Sequence, residues 1–171
     1  WANVAADLLA DYLEDANDPA DVIPPVLEEH AALARLAVRA ASERRPDVVA
    51  LIEAASAHDV GHLLDETTLT LGAGKGSRSW ALDALPGIDE VAWDSLRTIP
   101  IAAVTGSNGK TTTVRLVAAC TRAHGWCDGF NCTDGVFIGR KAVASGDYSG
   151  PAGTRLVLRD TSVEAAVLET A

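Results

Sequence analysis

The sequence predicts an α/β fold: a parallel-sheet core of the phosphate-loop type over residues 99–171, preceded by a mostly helical N-terminal region and linker over residues 1–98. Three observations carry this expectation. A short apolar run, Ile101-Ala102-Ala103-Val104, leads into a glycine-containing turn and then an amphipathic helical stretch. A second apolar run, Ala165-Ala166-Val167-Leu168, follows another helical stretch, so the order is that of a parallel crossover. Ahead of Ile99 the apolar residues recur mostly at helical spacing.

The first helical stretch covers residues 1–16, where Val4, Leu8, Leu9, Tyr12 and Leu13 share a face. Asp18-Pro19 ends it. Ile23-Pro24-Pro25 opens a second helix that runs to about Ser42, with Leu27, Leu33, Leu36 and Ala37 as its stripe. Pro46 has the fixed φ that suits a first helical position, and Val48, Val49, Leu51 and Ile52 would be buried behind it. The pattern then changes. Thr68, Leu69, Thr70 and Leu71 alternate as in a short strand, and residues 72–77 read as a glycine-rich loop. Residues 80–96, with Pro86-Gly87 as a turn, read as a linker wrapped over a surface.

In the core, residues 101–104 read as a strand buried in a parallel sheet and residues 110–124 as a helix carrying Val114, Leu116, Val117 and Cys120. Residues 135–141 are hairpin-like, and Gly150-Pro151 signals a helix to about Arg159. Between the first strand and its helix lies Thr105-Gly106-Ser107-Asn108-Gly109-Lys110-Thr111-Thr112. A turn that leaves a strand and enters a helix aims backbone N–H groups and the positive end of the helix dipole at one point. Gly106 and Gly109 let the backbone approach phosphate oxygens with no Cβ in between. Lys110 can reach the β- and γ-phosphates of ATP, and the Thr111 hydroxyl can take a place on Mg²⁺. The general motif has a further glycine where Val104 stands; the strand–loop–helix placement carries the reading in its absence.

Such sites need a carboxylate at the C-terminal end of a neighbouring strand, and Glu169 meets that requirement. Asp134, before Gly135, reads as turn chemistry, with a second Mg²⁺ site or γ-phosphate contact as the alternative for Thr133-Asp134. The other lysine-containing glycine run, residues 72–77, has no Ser or Thr directly after its lysine and no helical pattern behind it, and reads as a flexible turn. His58-Asp59-Val60-Gly61-His62 has the outline of a zinc helix. Asp in place of Glu shortens the base, and Gly61 weakens the helix, so a structural or surface role is expected.

A net charge of −10 argues against a chain that coats nucleic acid or an anionic membrane. No apolar run approaches the ~20 residues that cross a bilayer. Three cysteines without a Cys-x-x-Cys pair read as reduced thiols in a cytoplasmic protein. The sequence holds no Met, opens on Trp1 and stops within an element that reads as buried, so both ends are expected to be cut from a larger parent.

Residues 101–116 resemble the phosphate-loop segment of the Mur ligases, a group that includes folylpolyglutamate synthase; the shared core is Thr-Gly-x-Asn-Gly-Lys-Thr, also without the first glycine. Cys132-Thr133-Asp134-Gly135-Val136, residues 146–151, residues 157–160 and residues 166–171 resemble, in that order, the ligase module of cyanophycin synthetase-like proteins. The resemblance covers residues 100–171. It implies an ATP-dependent carboxylate–amine ligase working through an acyl phosphate. It also implies that Lys110 and the loop amides hold the phosphates, that Thr111 and Glu169 position Mg²⁺, and that Thr133 lines the second metal or γ-phosphate site. The implied partners are ATP, a carboxylate substrate, an amino-acid or amine substrate and a C-terminal ligase domain not included here. Alternatives are a folylpolyglutamate-type ligase and an ATP-binding module without catalysis. A GTPase or kinase would want a base-recognition motif such as Asn-Lys-x-Asp, which is absent from the sequence.

Overall fold

The computed structural model describes residues 29–42 and 44–170. The helix expected over residues 1–16 lies outside them. The chain divides into two compact units between Arg44 and Arg45. The described part of the first is helix α1 (Glu29–Ser42), which ends where the sequence placed the end of its second helix. The second unit carries everything from Arg45 onward, including residues on both sides of the boundary expected at 98/99.

The second unit begins with α2 (Pro46–Ala57), opened by Pro46 as anticipated. A three-stranded antiparallel sheet follows: β1 (His62–Leu64), β2 (Thr68–Leu71) and β3 (Arg78–Ala81), with β2 central. Only β2 was foreseen. Leu69 and Leu71 of β2 pack with Leu51 and Ala55 of α2 and with Val60, Val91 and Leu96 in one buried cluster. The stretch expected as a linker does wrap over this core, and Trp80, Leu82, Leu85 and Trp93 pack against it.

The five-stranded sheet has the order β4-β8-β5-β6-β7, formed by β4 (Ile101–Val104), β5 (Asp128–Cys132), β6 (Gly135–Ile138), β7 (Lys141–Ser145) and β8 (Ala165–Glu169). β4, β8 and β5 are parallel, while β5, β6 and β7 form an antiparallel meander. The sheet is therefore mixed, which corrects the parallel core expected from the sequence. The strand Asp128–Cys132 supplies the start of the meander, and its polar residues hid it from periodicity. A second correction concerns β4. It is an edge strand, and Ile101, Ala102 and Ala103 are exposed rather than buried.

Helices α3 (Lys110–Ala123) and α4 (Pro151–Arg159) cover opposite faces. Val114 and Ala118 of α3 meet Phe130, Cys132 and Val167. Val157 and Leu158 of α4 meet Ala166, Leu168, Val136 and Val163. Residues 166 and 168 face one way and 167 the other, as the two-residue period of a strand requires. Gly129 stands on the α4 side, where a Cβ would meet Val157 and Val163 side chains at 2.8 Å.

The two sheets are joined by specific contacts. The guanidinium of Arg159, at the end of α4, donates to Thr70 Oγ1 (2.9 Å) and Asp65 Oδ2 (2.6 Å) of the small sheet. The run 72–77 forms a tight buried turn: Lys75 donates through its backbone to Val163 O (2.8 Å) and through Nζ to Glu164 (2.7 Å).

Candidate functional site

β4 ends at Val104, and the chain turns through residues 105–109 into α3. Gly106 sits at φ +138° and Gly109 at φ +76°. No atom lies within 4 Å of the Cβ that Gly109 lacks, so its left-handed backbone, rather than crowding, reserves the position for glycine. The first N–H groups of a helix have no acceptor within it, and residues 110–112, which carry them here at the positive end of the helix dipole, line the cavity. Lys110 Nζ donates to the carbonyl of Gly106 at 2.8 Å, so the ammonium lies across the mouth of the loop.

Parallel pairing sets the other wall. β4 and β8 run in register with Val104 opposite Glu169, and Thr170 N–H donates to Val104 O (3.0 Å). Glu169 therefore stands level with the start of the loop. Its side chain is buried, 1% exposed, and Oε2 accepts from Thr111 Oγ1 at 2.9 Å. Thr111 Oγ1 lies 3.3 Å from Thr133 Oγ1, which reaches over from the β5–β6 turn. An open cavity of about 320 Å³ is lined by residues 107–112 with Thr133 and Glu169. All the site residues named from the sequence line it except Gly106, whose carbonyl holds Lys110.

The donors gathered here are two hydroxyls and one carboxylate, all hard oxygen. Mg²⁺ takes few protein ligands and completes its octahedron with water and phosphate oxygens, so this set suits it. Among the described residues no group of three or more His, Cys, Asp and Glu is placed to hold a metal. The segment 58–62 is not one helix. His58 follows the last turn of α2 and stacks on Trp93 at 4.5 Å between ring centroids, Asp59 sits at φ 60°, and His62 opens β1.

Two features near the site escaped the sequence reading. Asp134 is in the β5–β6 turn, as expected, but its carboxylate also pairs with Arg115 of α3 at 2.5 Å on the rim. Asn131 is fully buried one strand from Glu169, and its Nδ2 donates to two backbone carbonyls, of Glu169 (3.0 Å) and Tyr148 (2.6 Å). A polar residue in the middle of a buried strand was the signal that could have found it. The three cysteines are free, with Cys120 exposed and Cys132 buried. No described helix is long and apolar enough to cross a membrane.

Comparison with known proteins points to one family. Residues 104–171 match the Mur ligase middle domain. The chain is 49% identical over 78 residues to a cyanophycin synthetase of Crocosphaera subtropica, covering 46% of this chain and 9% of the relative. It is 48% identical over 89 residues to one of Geminocystis herdmanii, 52% of this chain and 10% of the relative. A third, of Trichormus variabilis, is 52% identical over 73 residues, 43% of this chain and 8% of the relative. The matches thus span about a tenth of these relatives' length, and this part of the chain is similar to a Mur ligase module.

Proposed function

We propose that the chain carries the ATP-binding part of a ligase that joins a carboxylate to an amine through an acyl phosphate, with residues 99–171 forming the first part of a Mur ligase-type ATP-binding domain; the region ahead of it, expected as helices and a linker, also holds the small antiparallel sheet. The observation that carries this reading is the convergence of Lys110, the loop amides, Thr111, Thr133 and Glu169 on one cavity at the C-terminal ends of parallel strands. The similarity to cyanophycin synthetases supports the same reading and favours it over a folylpolyglutamate-type ligase.

In this account the loop amides and Lys110 bind the triphosphate. The ammonium has three N–H donors, so it can keep its bond to Gly106 O while donating to β- and γ-phosphate oxygens. Thr111, Thr133 and Glu169 would hold Mg²⁺, which when bound supplies positive charge against the phosphates. A carboxylate oxygen of the substrate attacks the γ-phosphorus in line, the bond to the β-phosphate oxygen breaks, and ADP leaves. The amine nitrogen then attacks the acyl carbon. The C–O bond to phosphate breaks, inorganic phosphate departs with one original carboxylate oxygen, and the nitrogen gives up a proton. The chain's share is placement of the phosphates and compensation of charge on the transferred group. The three unpaired thiols and the need for ATP accord with the cytoplasm.

The test uses the full-length protein and a substrate whose carboxylate is labelled with ¹⁸O. One ¹⁸O should appear in inorganic phosphate for each amide formed, and ADP release should require both acceptor and amine. Release of AMP and pyrophosphate, or phosphate without label, would overturn the acyl-phosphate route.

A further inference from the structure

Asn131 joins three segments that meet behind the cavity. Its Nδ2 donates to the carbonyl of Glu169, the last residue of β8, and to the carbonyl of Tyr148 in the turn after β7. The two carbonyl acceptors fix which end of the amide is nitrogen. Tyr148 is gripped from both sides, since its own N–H donates to Cys132 O at 3.1 Å. Asn131 is also two residues before Thr133, which follows directly on the end of its strand. The amide thus sets where β8 ends, where the Thr133 turn begins, and where the segment containing Asp147 and Ser149 lies.

The other end of the amide sets a cost against these two bonds. Asn131 Oδ1 is buried and has no hydrogen-bond partner among the described residues. Burying an acceptor unpaired costs free energy; an apolar residue of the same shape would avoid that cost but would take the amide donor from both carbonyls. α4 closes over the clamp. A Cβ on Gly153 would lie 2.2 Å from Tyr148 O and 2.8 Å from Asn131 Cβ, so the helix can start there only because residue 153 has none.

We propose that Asn131 is a positioning residue: by holding the carbonyls of Glu169 and Tyr148 it fixes the Glu169 carboxylate against Thr111 and Thr133, in the geometry that couples metal to nucleotide. This deepens the nucleotide reading above and rests on it. Asn131 acts through Glu169, so it should govern the gain in ATP affinity that Mg²⁺ brings. The contacts from the loop amides and Lys110 do not pass through it.

The experiment is calorimetric titration of the chain with ATP, in Mg²⁺ and in chelator, for the wild type, Asn131→Leu, Glu169→Gln and the double variant, each with a melting curve. Asn131→Leu should melt somewhat below the wild type while still folding, keep its affinity for ATP in chelator, and lose about tenfold of the enhancement by Mg²⁺. In the Glu169→Gln background it should have no further effect, because its route is already removed. An unchanged Mg²⁺ enhancement, an equal loss with and without Mg²⁺, or full additivity with Glu169→Gln would each overturn the proposal. If Asn131→Leu does not fold, Asn131→Ser, which is smaller and too short to reach both carbonyls, replaces it under the same criteria. A wild type that binds no ATP under either condition refutes the nucleotide reading itself and this proposal with it. Binding without any Mg²⁺ enhancement spares that reading and refutes only the positioning role.

Discussion

Lys110 and Glu169 reach the same cavity by different means, and single substitutions should separate them. Lys110 is held over the loop by one hydrogen bond to Gly106 O, so its removal leaves the strand–loop–helix frame intact. Hydrogen bonds to charged groups contribute about 1.5–3 kcal/mol, so Lys110→Ala should weaken ATP binding roughly 10- to 100-fold with little change in melting temperature. Equal affinities of variant and wild type in a titration would remove Lys110 from the site. Away from the cavity, Asp128 is fully buried and its carboxylate is gripped by Arg122 Nε (2.8 Å) and Nη2 (2.7 Å). This pairing raises the Arg122 pKa, through the hydrogen bond to Asp128 above all. Arg122→Met would leave that carboxylate buried without its counter-ion, and should cost about 3 kcal/mol in urea unfolding. A loss below about 1 kcal/mol would contradict the pairing.

At the scale of elements, the parts the sequence revealed are those written in local pattern. Pro46 and Pro151 start helices α2 and α4, the loop 105–109 separates a strand from α3, and the apolar run 165–168 is β8. That the loop, lysine and threonine share one cavity was legible for the same reason, since they lie within one short segment. What stayed hidden depends on partners distant in sequence. β5 reads Asp-Gly-Phe-Asn-Cys, and the Asp128 carboxylate and the Asn131 Nδ2 find their partners in Arg122, Tyr148 and Glu169, none of which periodicity can supply. β4 reads as a buried strand because its residues are apolar, yet its position in the sheet order leaves it at an edge. The turn at Gly74–Gly76 looked like loose punctuation, and it is a packed joint. Gly74 has φ +55°, and a Cβ there would lie 2.4 Å from Val163 O and 2.5 Å from Ile99 Cδ1. Gly74→Ala should therefore destabilise the fold by about 1–3 kcal/mol, whereas Gly109→Ala, strained but uncrowded, should cost less. Thermal denaturation of the pair checks the order, and the reverse ranking would contradict it.

The second unit as a whole depends on charge pairs that bridge its two sheets. The Thr67 amide, first, and the Arg159 guanidinium hold the Asp65 carboxyl well below the usual carboxylate range. Lys75, with the Cys127 amide behind it, lowers Glu164 in the same direction. A carboxylate whose folded pKa is depressed stabilises the native state above its unfolded pKa of about 3.9, and that contribution disappears as pH falls through and below this value. The wild type should therefore exceed Asp65→Asn in urea midpoint by a constant margin above about pH 5, and the margin should shrink steadily towards pH 2. A margin that grows on acidification would contradict the assigned pairing. Because Arg159 ends α4 and contacts Asp65, Thr68 and Thr70 together, loss of this pairing should loosen the small sheet from the large one.

The claim on which all this rests is that the turn after β4, the start of α3, Thr133 and Glu169 surround the anionic tail of a nucleotide. Amide chemical shifts of the isotopically labelled chain, followed as Mg²⁺–ATP is added, test it residue by residue. The largest shifts should fall at residues 106–112, with Thr133 and Glu169 next, while the second glycine run at residues 72–77 stays in place. A spectrum that does not change, or changes centred on residues 72–77, would contradict it.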